Sequence, residues 1–190
     1  MTITFDNVCG NEQVFMDCMN AILGNTKRNS MVDFGCHHAA HTPKFGFKER
    51  VYIDILPQVL DHPNEQQYFI QKDILDVEEC SYNVDVAFAN DVCEHLTIPN
   101  GYKLFRIMES VSTKQILFTP LGEMWVGTSG HPEEHASGWT PEMVEGYASI
   151  VFNHYHKVWG FGAWFFWKCD NLEQEFERVK NELKSKSWAN

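Results

Sequence analysis

The segment Met31-Val32-Asp33-Phe34-Gly35 decides how the rest of the chain is interpreted. It is a short apolar run that stops at a glycine, which is typical of a buried strand that ends in a tight turn. The turn continues as Cys36-His37-His38-Ala39. A short helical segment is expected to follow the turn and to stop near Pro43, because proline does not fit inside a helix.

Further apolar runs of strand length follow, and segments with helical spacing separate most of them. This alternation favours one mostly parallel sheet that is covered by helices on both faces. Two residues separate the last two runs, too few for a crossover helix, so this pair is predicted to be an antiparallel hairpin at the end of the sheet. With the first strand, the prediction is a seven-stranded α/β sheet. The further strands are Arg50–Leu56, Gln67–Gln71, Val84–Ala89, Gln115–Thr119, Ala148–Tyr155 and Val158–Lys168.

Three longer segments have the spacing of amphipathic helices. The first begins after a possible N-cap, Asn11, and ends before Gly24. The second covers Asn100 to Ser112. The third begins at Asp170, where Glu173 stands three residues on as a capping-box partner.

The length of 190 residues predicts a single domain over residues 1–190. The formal net charge of -11 argues against nucleic-acid binding and against binding to anionic membrane surfaces. No signal peptide is recognised at the N-terminus, and the ten-residue apolar run from Val158 to Trp167 is too short to span a bilayer. The cysteines form no C-x-x-C pair and predict reduced thiols in a cytoplasmic protein. They are Cys9, Cys18, Cys36, Cys80, Cys93 and Cys169.

Polar residues follow the predicted strands, where open parallel sheets bind their ligands. Asp54 ends the second strand, 19 residues after Gly35, and a carboxylate at that place can accept hydrogen bonds from a ribose diol. A dinucleotide site would need the pattern G-x-G-x-x-G, but His37 and Ala40 stand at its second and third glycine positions. The sequence therefore favours a nucleoside ligand without a diphosphate.

Four motifs in register resemble those of the class I S-adenosylmethionine-dependent methyltransferases. The resemblance covers roughly residues 30 to 168 and includes the terminal hairpin. It implies a Rossmann-like fold, S-adenosylmethionine as cofactor, and methyl transfer to a small-molecule acceptor, a sugar-like one included. The motifs are Val32-Asp33-Phe34-Gly35, Tyr52-Ile53-Asp54, Lys72-Asp73-Ile74 and the segment from Asp85 to Leu96.

The resemblance also implies a set of site residues, although His37 and Ala39 depart from the family's G-x-G-x-G turn. His95 is the candidate base, with Asp91 and Glu94 beside it, and His135 is a second candidate in a His-x-Ser-x-Trp stretch that would cover the substrate side. No metal ligand is assigned. The predicted cofactor-binding residues are Asp33, Gly35, Cys36, His37, Asp54, Ile55, Asp73, Ile74, Asn90 and Asp91.

Purely structural roles stay open for the same residues. The predicted acids Asp33, Asp54 and Asp73 can cap the turns or helices that follow their strands. His95 can satisfy neighbours at a helix start, and the loop with His135 can be a surface loop anchored by Trp139. A non-catalytic module that binds the nucleoside and a protein partner, or one that senses a dinucleotide such as NAD, is a further alternative.

Two metal signatures and one interface are further alternatives. Cys36, His37, His38 and His41 lie within six residues, and His37 and His41 would share one face of a helix. His131 to His135 match the zinc-protease pattern H-x-x-E-H, but Pro132 allows at most a helix start there. The Trp-rich run that ends at Trp167 would suit a partner interface if it were exposed.

Overall fold

The computed structural model describes residues 1–57, 66–78, 81–122, 134–156 and 161–188. Within them the chain forms one eight-stranded sheet and three α-helices. The helices are α1 (Glu12–Leu23), α2 (Ile98–Val111) and α3 (Leu172–Lys184). The strands are β1 (Thr2–Phe5), β2 (Ser30–Phe34), β3 (Glu49–Asp54), β4 (Gln67–Gln71), β5 (Val84–Asn90), β6 (Ser112–Pro120), β7 (Ala148–Phe152) and β8 (Ala163–Cys169).

The strand order in the sheet is β1-β7-β8-β6-β5-β2-β3-β4. Strand β8 runs antiparallel to both of its neighbours, β6 and β7, and the other pairings are parallel. The predicted α/β class, with its mostly parallel sheet and antiparallel pair at the end, is therefore confirmed. The eighth strand is β1, which pairs with β7 at the edge of the sheet.

The sheet separates two apolar cores, and β8 contributes to both. Phe165 and Trp167 pack with α1 and α3 on one face, whereas Trp164 and Phe166 pack with α2 on the other. This alternation follows from the two-residue period of a strand. Because these four side chains have no exposed surface, the buried strand predicted for the Trp-rich run is confirmed for them, and they do not support the alternative of a partner interface.

Local chemistry explains where the helices begin and end. The side chain of Asn11 accepts a hydrogen bond from the amide of Val14 at 3.0 Å, and Gly24 has a positive φ of 44° at the end of α1, so both predicted caps are confirmed. The predicted capping box at α3 does not form. The N-cap there is Asn171, which has a left-handed backbone and no side-chain cap bond, and Glu173 only places a negative charge in the first turn.

Two further predictions about the elements need correction. No α-helix follows β2: a turn leads into a 3-10 helix over Thr42–Phe45, because the positive φ angles of His37 and Ala39 interrupt helical hydrogen bonding. Strand β8 begins at Ala163, and residues 157–160 of the predicted last strand lie outside the described residues. Within the described ranges, no helix is long and apolar enough to span a membrane.

Candidate active site

The carboxyl ends of the parallel strands β2 to β5 open into a cleft of three adjoining cavities. Their volumes are about 360, 510 and 370 Å³, and Asp91 and His95 line all three. Every predicted site residue lines at least one of them. Cavity 1 is lined by Gly35, His37, Asp54, Ile55, Asp73 and Ile74; cavity 2 by Asn90 and His135; and cavity 3 by Asp33, Gly35, Cys36, His37 and Asn90.

The turn after β2 has a left-handed backbone at every second residue. The φ angles are 67° at Gly35, 44° at His37 and 54° at Ala39. A Cβ atom at Gly35 would stand 2.6 Å from Cγ2 of Val92, so this position requires glycine. At His37 and Ala39, the left-handed backbone of a non-glycine residue costs roughly 1–2 kcal/mol each. The turn thus has a left-handed backbone at all three glycine positions of the G-x-G-x-G pattern, although only the first of them is glycine.

The Asp54 carboxylate joins the turn after β2 to the loop after β3. Its Oδ2 accepts a hydrogen bond from the amide of His37 at 2.9 Å, and its Oδ1 accepts one from the amide of Leu56 at 2.9 Å. Each carboxylate oxygen has two acceptor positions, so these bonds leave acceptor capacity at cavity 1, which Asp54 lines. These hydrogen bonds give Asp54 the structural role that the alternative interpretation expected, and they also orient its carboxylate.

Asp73 and Ile55 form the far end of cavity 1. The Asp73 side chain accepts a hydrogen bond from the amide of Leu75 at 2.9 Å and caps the 3-10 helix Ile74–Asp76, as the alternative reading expected. Ile55 is 49% exposed, which is unusual for a large apolar side chain in this protein. An apolar surface beside a carboxylate suits a flat, partly polar ligand such as a nucleobase.

Asp33 lies beneath the turn and is almost fully buried. Burial raises the pKa of its carboxyl group to about 8, against the opposing effect of a hydrogen bond with Thr42, and the negative charge of Asp54 adds to the rise. The Asp33 carboxyl is therefore protonated at neutral pH. It lines cavity 3 as a neutral group rather than as a charged ligand for the cofactor.

Two carboxyl groups follow β5. Asp91 has a left-handed φ of 52° and faces the cleft, where Asn90 Nδ2 donates a hydrogen bond to its Oδ2 at 2.8 Å. Desolvation by the surrounding protein atoms raises the pKa of Asp91 to about 6, although the surface of the residue is accessible from the cleft. Glu94 is buried, and burial together with the Asp91 charge raises its pKa well above the usual range.

The loop that carries His135 is fastened to the segment after β5. The amides of Ala136 and Ser137 donate to the carbonyl oxygen of Glu94 at 2.7 and 3.0 Å, and the indole Nε1 of Trp139 donates to Cys93 O at 3.0 Å. The loop therefore lies against the cleft, as the His-x-Ser-x-Trp resemblance implies. Ser137 and Trp139 serve as its anchors, whereas His135 faces His95 with ring centroids 5.0 Å apart.

The predicted cluster of Cys36, His37, His38 and His41 does not assemble into a ligand set. Among the described residues, none of the four belongs to a group of three or more possible ligand atoms within 4.8 Å of one another. The reason is that the left-handed backbone at His37 removes the helix that would have aligned the histidines. Of the H-x-x-E-H pattern, residues 131–133 lie outside the described residues.

Sequence reasoning missed two residues at this site and gave a third another role. Phe15 lines cavity 2 from α1, Thr119 donates a hydrogen bond to the Glu94 carboxyl from β6, and His41, named above only as a possible metal ligand, lines cavity 2 from the start of the 3-10 helix. These residues come from segments far apart in the sequence, and no local pattern connects them. The closeness of Thr119 to Glu94 depends on β5 and β6 being neighbours, which only the fold establishes.

No protein-family model and no curated protein matches this sequence. Solved structures do. The N-methyltransferase NodS from Bradyrhizobium japonicum WM9, in complex with S-adenosylhomocysteine, is similar with a TM-score of 0.62 at 11% identity, over 84% of this chain and 87% of that one. The methyltransferase domain of bacterial CtHen1-CN has a TM-score of 0.58 at 16% identity, over 82% and 97%.

A third similar structure is the 1,6-didemethyltoxoflavin-N1-methyltransferase of Burkholderia thailandensis with bound 1,6-didemethyltoxoflavin and S-adenosylhomocysteine. Its TM-score is 0.58 at 14% identity, over 83% of this chain and 81% of that one. The chain has the class I methyltransferase fold. In this methyltransferase fold, the cleft described above lies at the carboxyl ends of the parallel strands.

A pair of glycine substitutions tests the strain in the turn. His37 and His38 are both exposed and their rings touch each other, but only His37 has a positive φ. The entropic cost of a new glycine is the same in both variants, so it cancels in the comparison. We expect His37→Gly to be more stable than His38→Gly by about 1–2 kcal/mol in denaturant unfolding. Equal stabilities would show that the turn at His37 is not strained.

The buried Asp33 carboxyl predicts a pH dependence of stability. Because its pKa is higher in the folded chain than in the unfolded one, its contribution is complete below about pH 4 and is lost as the pH rises to about 8. Between about pH 5 and 8, the free energy of unfolding of the wild type should fall more steeply than that of Asp33→Asn, by up to about 1.4 kcal/mol per pH unit. Denaturant unfolding at each pH measures this difference. Parallel curves would contradict the burial of a neutral Asp33.

Proposed function

We propose that the chain is an S-adenosylmethionine-dependent methyltransferase that acts on a small-molecule acceptor. The observation that carries the proposal is the oriented Asp54 carboxylate at the wall of a cavity of about 360 Å³ in this fold. Two of the similar structures, NodS and the toxoflavin methyltransferase, contain S-adenosylhomocysteine, the product of the cofactor. Cavities of this volume suit ligands of that size.

In this proposal the adenosine part of the cofactor occupies cavity 1. The ribose diol donates to Asp54, and the adenine ring packs between Ile55 and Ile74 with its exocyclic amine towards Asp73. The methionine part extends along the turn from Gly35 to Ala39, past Cys36 and His37, and reaches Asn90 and Asp91. The sulfonium charge then lies near carboxyl groups, which favours a cation there.

The same turn argues against a dinucleotide. Diphosphate groups bind well where a glycine-rich turn leads directly into the N-terminus of an α-helix, whose amides and dipole attract negative charge. Residues 35–48 between β2 and β3 are all described, and they form a turn and one short 3-10 helix. The carboxyl groups of Asp54 and Asp91 also border this part of the cleft. A positively charged sulfonium fits these surroundings better than a diphosphate.

The acceptor is proposed to bind in cavity 2, which meets cavity 1 at Asp91 and His95. Methyl transfer from a sulfonium is an in-line displacement, so positioning supplies much of the acceleration. The acceptor oxygen or nitrogen forms a bond to the methyl carbon as the carbon–sulfur bond breaks, and its proton passes to a nearby base. Asp91, His95 and His135 are the groups that line the junction or the acceptor cavity and can receive it.

The proposal also concerns the setting of the enzyme. A cytoplasmic location rests on the scattered cysteines, of which the structure describes five as free thiols. The expectation of a small-molecule acceptor, rather than a nucleic acid or a membrane, rests on the net charge of -11 and on the volume of cavity 2, about 510 Å³.

Calorimetry with S-adenosylmethionine, S-adenosylhomocysteine and NAD tests the cofactor. The two sulfur compounds should bind the wild type, and NAD should not. Asp54→Asn should weaken their binding about tenfold or more, because a charged hydrogen bond is worth about 1.5–3 kcal/mol. Binding of NAD alone would overturn the proposal. Binding of the sulfur compounds without turnover of any acceptor would favour the non-catalytic module instead.

Asp85→Asn is the matched control for this experiment. The Asp85 carboxylate also accepts two backbone amide bonds, from Asn29 at 2.8 Å and Ser30 at 3.2 Å, but at the amino ends of the strands. Both variants should lose stability, whereas only Asp54→Asn should lose affinity for S-adenosylhomocysteine. An equal loss of affinity in both variants would assign Asp54 a structural role only.

A further inference from the structure

Three possible metal ligands meet at the wall of cavity 2. Glu94 and His95 belong to the 3-10 helix Cys93–His95 after β5, and His135 belongs to the loop fastened onto it. One ligand atom from each lies within 4.8 Å of the other two. At metal–ligand distances of about 2.0–2.2 Å, the ligands of one ion stand about 3–4 Å apart, so small side-chain rotations would bring these three atoms onto one ion.

Only one of the two carboxyl oxygens of the buried Glu94 has a hydrogen-bond partner. Thr119 Oγ1 donates a hydrogen bond to Oε2 at 3.0 Å, whereas Oε1 is buried without a hydrogen-bond partner. Burial and the adjacent Asp91 carboxyl both raise the pKa of Glu94. A buried polar oxygen without a partner is costly, and buried carboxylates in proteins are usually paired or bound to a metal. The site therefore offers an acceptor atom that a cation would satisfy.

The hydrogen bond at the ring of His95 and the backbone bonds of the His135 loop both suit metal binding. His95 Nδ1 lies 3.2 Å from the carbonyl oxygen of Glu134, and because a carbonyl only accepts, Nδ1 carries the proton. The lone pair of this imidazole is then on Nε2. Metal-binding histidines commonly donate their other ring nitrogen to a backbone carbonyl in this way. The backbone bonds from Ala136 and Ser137 to Glu94 O keep the loop of His135 at a fixed place beside the other two groups.

We propose that Glu94, His95 and His135 bind one divalent transition-metal ion. Two imidazoles and one carboxylate suit transition metals such as zinc or iron better than calcium or magnesium, which prefer oxygen ligands alone. Three protein ligands leave coordination positions open. All three ligands line cavity 2, so an oxygen or nitrogen atom of the acceptor would occupy an open position and Asp91 would receive its proton; this last step rests on the proposed function. The sequence pattern assigned His95 and His135 to catalysis and no residue to a metal.

Titration of the metal-free, untagged protein with Mn²⁺, Zn²⁺ and Mg²⁺ tests the site directly. We expect one site per chain for Mn²⁺ or Zn²⁺, with much weaker binding of Mg²⁺. Glu94→Gln keeps the side-chain volume and can still accept from Thr119, and His135→Asn changes a half-buried loop residue. Loss of an outer-shell partner typically weakens metal binding about 10–100-fold. Because each of these variants removes a direct ligand, each should weaken metal binding by more than that.

His154→Asn is the matched control, because His154 is exposed and outside the cleft cavities. It should bind the metal as the wild type does. The visible absorption of bound Co²⁺ gives a second readout, which the two ligand variants should lose while their thermal unfolding shows that they are folded. A variant that does not fold is replaced by His95→Asn. Absence of stoichiometric binding, or equal affinity in wild type, Glu94→Gln and His135→Asn, would overturn the proposal.

The metal titration is independent of the cofactor. Binding of S-adenosylhomocysteine without metal binding would overturn the metal site and leave the proposed function standing. Metal binding without binding of S-adenosylmethionine or S-adenosylhomocysteine would support the site and overturn the proposed function. If neither binds, both proposals are wrong.

Discussion

The cleft depends on the pair of hydrogen bonds that the Asp54 carboxylate accepts from the amides of His37 and Leu56. One side chain thereby fixes two loops that leave neighbouring parallel strands, β2 and β3. The turn after β2 has no α-helix to stabilise it, and two of its residues have a left-handed backbone without being glycine. Strain of this kind persists only where surrounding contacts hold it. In this chain the carboxylate supplies such a contact and is itself oriented towards cavity 1.

A second network builds the acceptor side from backbone bonds. The carbonyl oxygens of Cys93 and Glu94 accept from Trp139, Ala136 and Ser137, so that the loop after β6 is held against the short helix after β5. Trp139 is fully buried and lies so close to Gly101 of α2 that a Cβ atom there would be 2.2 Å from its ring. Rigid support of this kind is what positioning catalysis and metal binding both require, because each depends on distances set before the ligand arrives.

Local signals in the sequence were sufficient for most of the fold. Asn11 and Gly24 bound α1 because capping depends on adjacent residues, and the strand ends located Asp54 and Asp91 at the cleft. Non-local pairing was beyond reach. The four residues of β1 show no distinctive pattern, and the strand exists through pairing with β7, almost 150 residues away. The same limit applies to the site. Glu94 and His135 come from separate segments of the sequence, and only the packing of the fold brings them together and buries Glu94.

The most direct test of this account is a crystal structure of the protein with S-adenosylhomocysteine. The account predicts the ribose diol within hydrogen-bond distance of the Asp54 carboxylate, with the amides of His37 and Leu56 still bound to it. The sulfur atom should lie at the junction of the cavities, beside Asp91 and His95. A ligand bound outside cavity 1, or a ribose turned away from Asp54, would contradict the account.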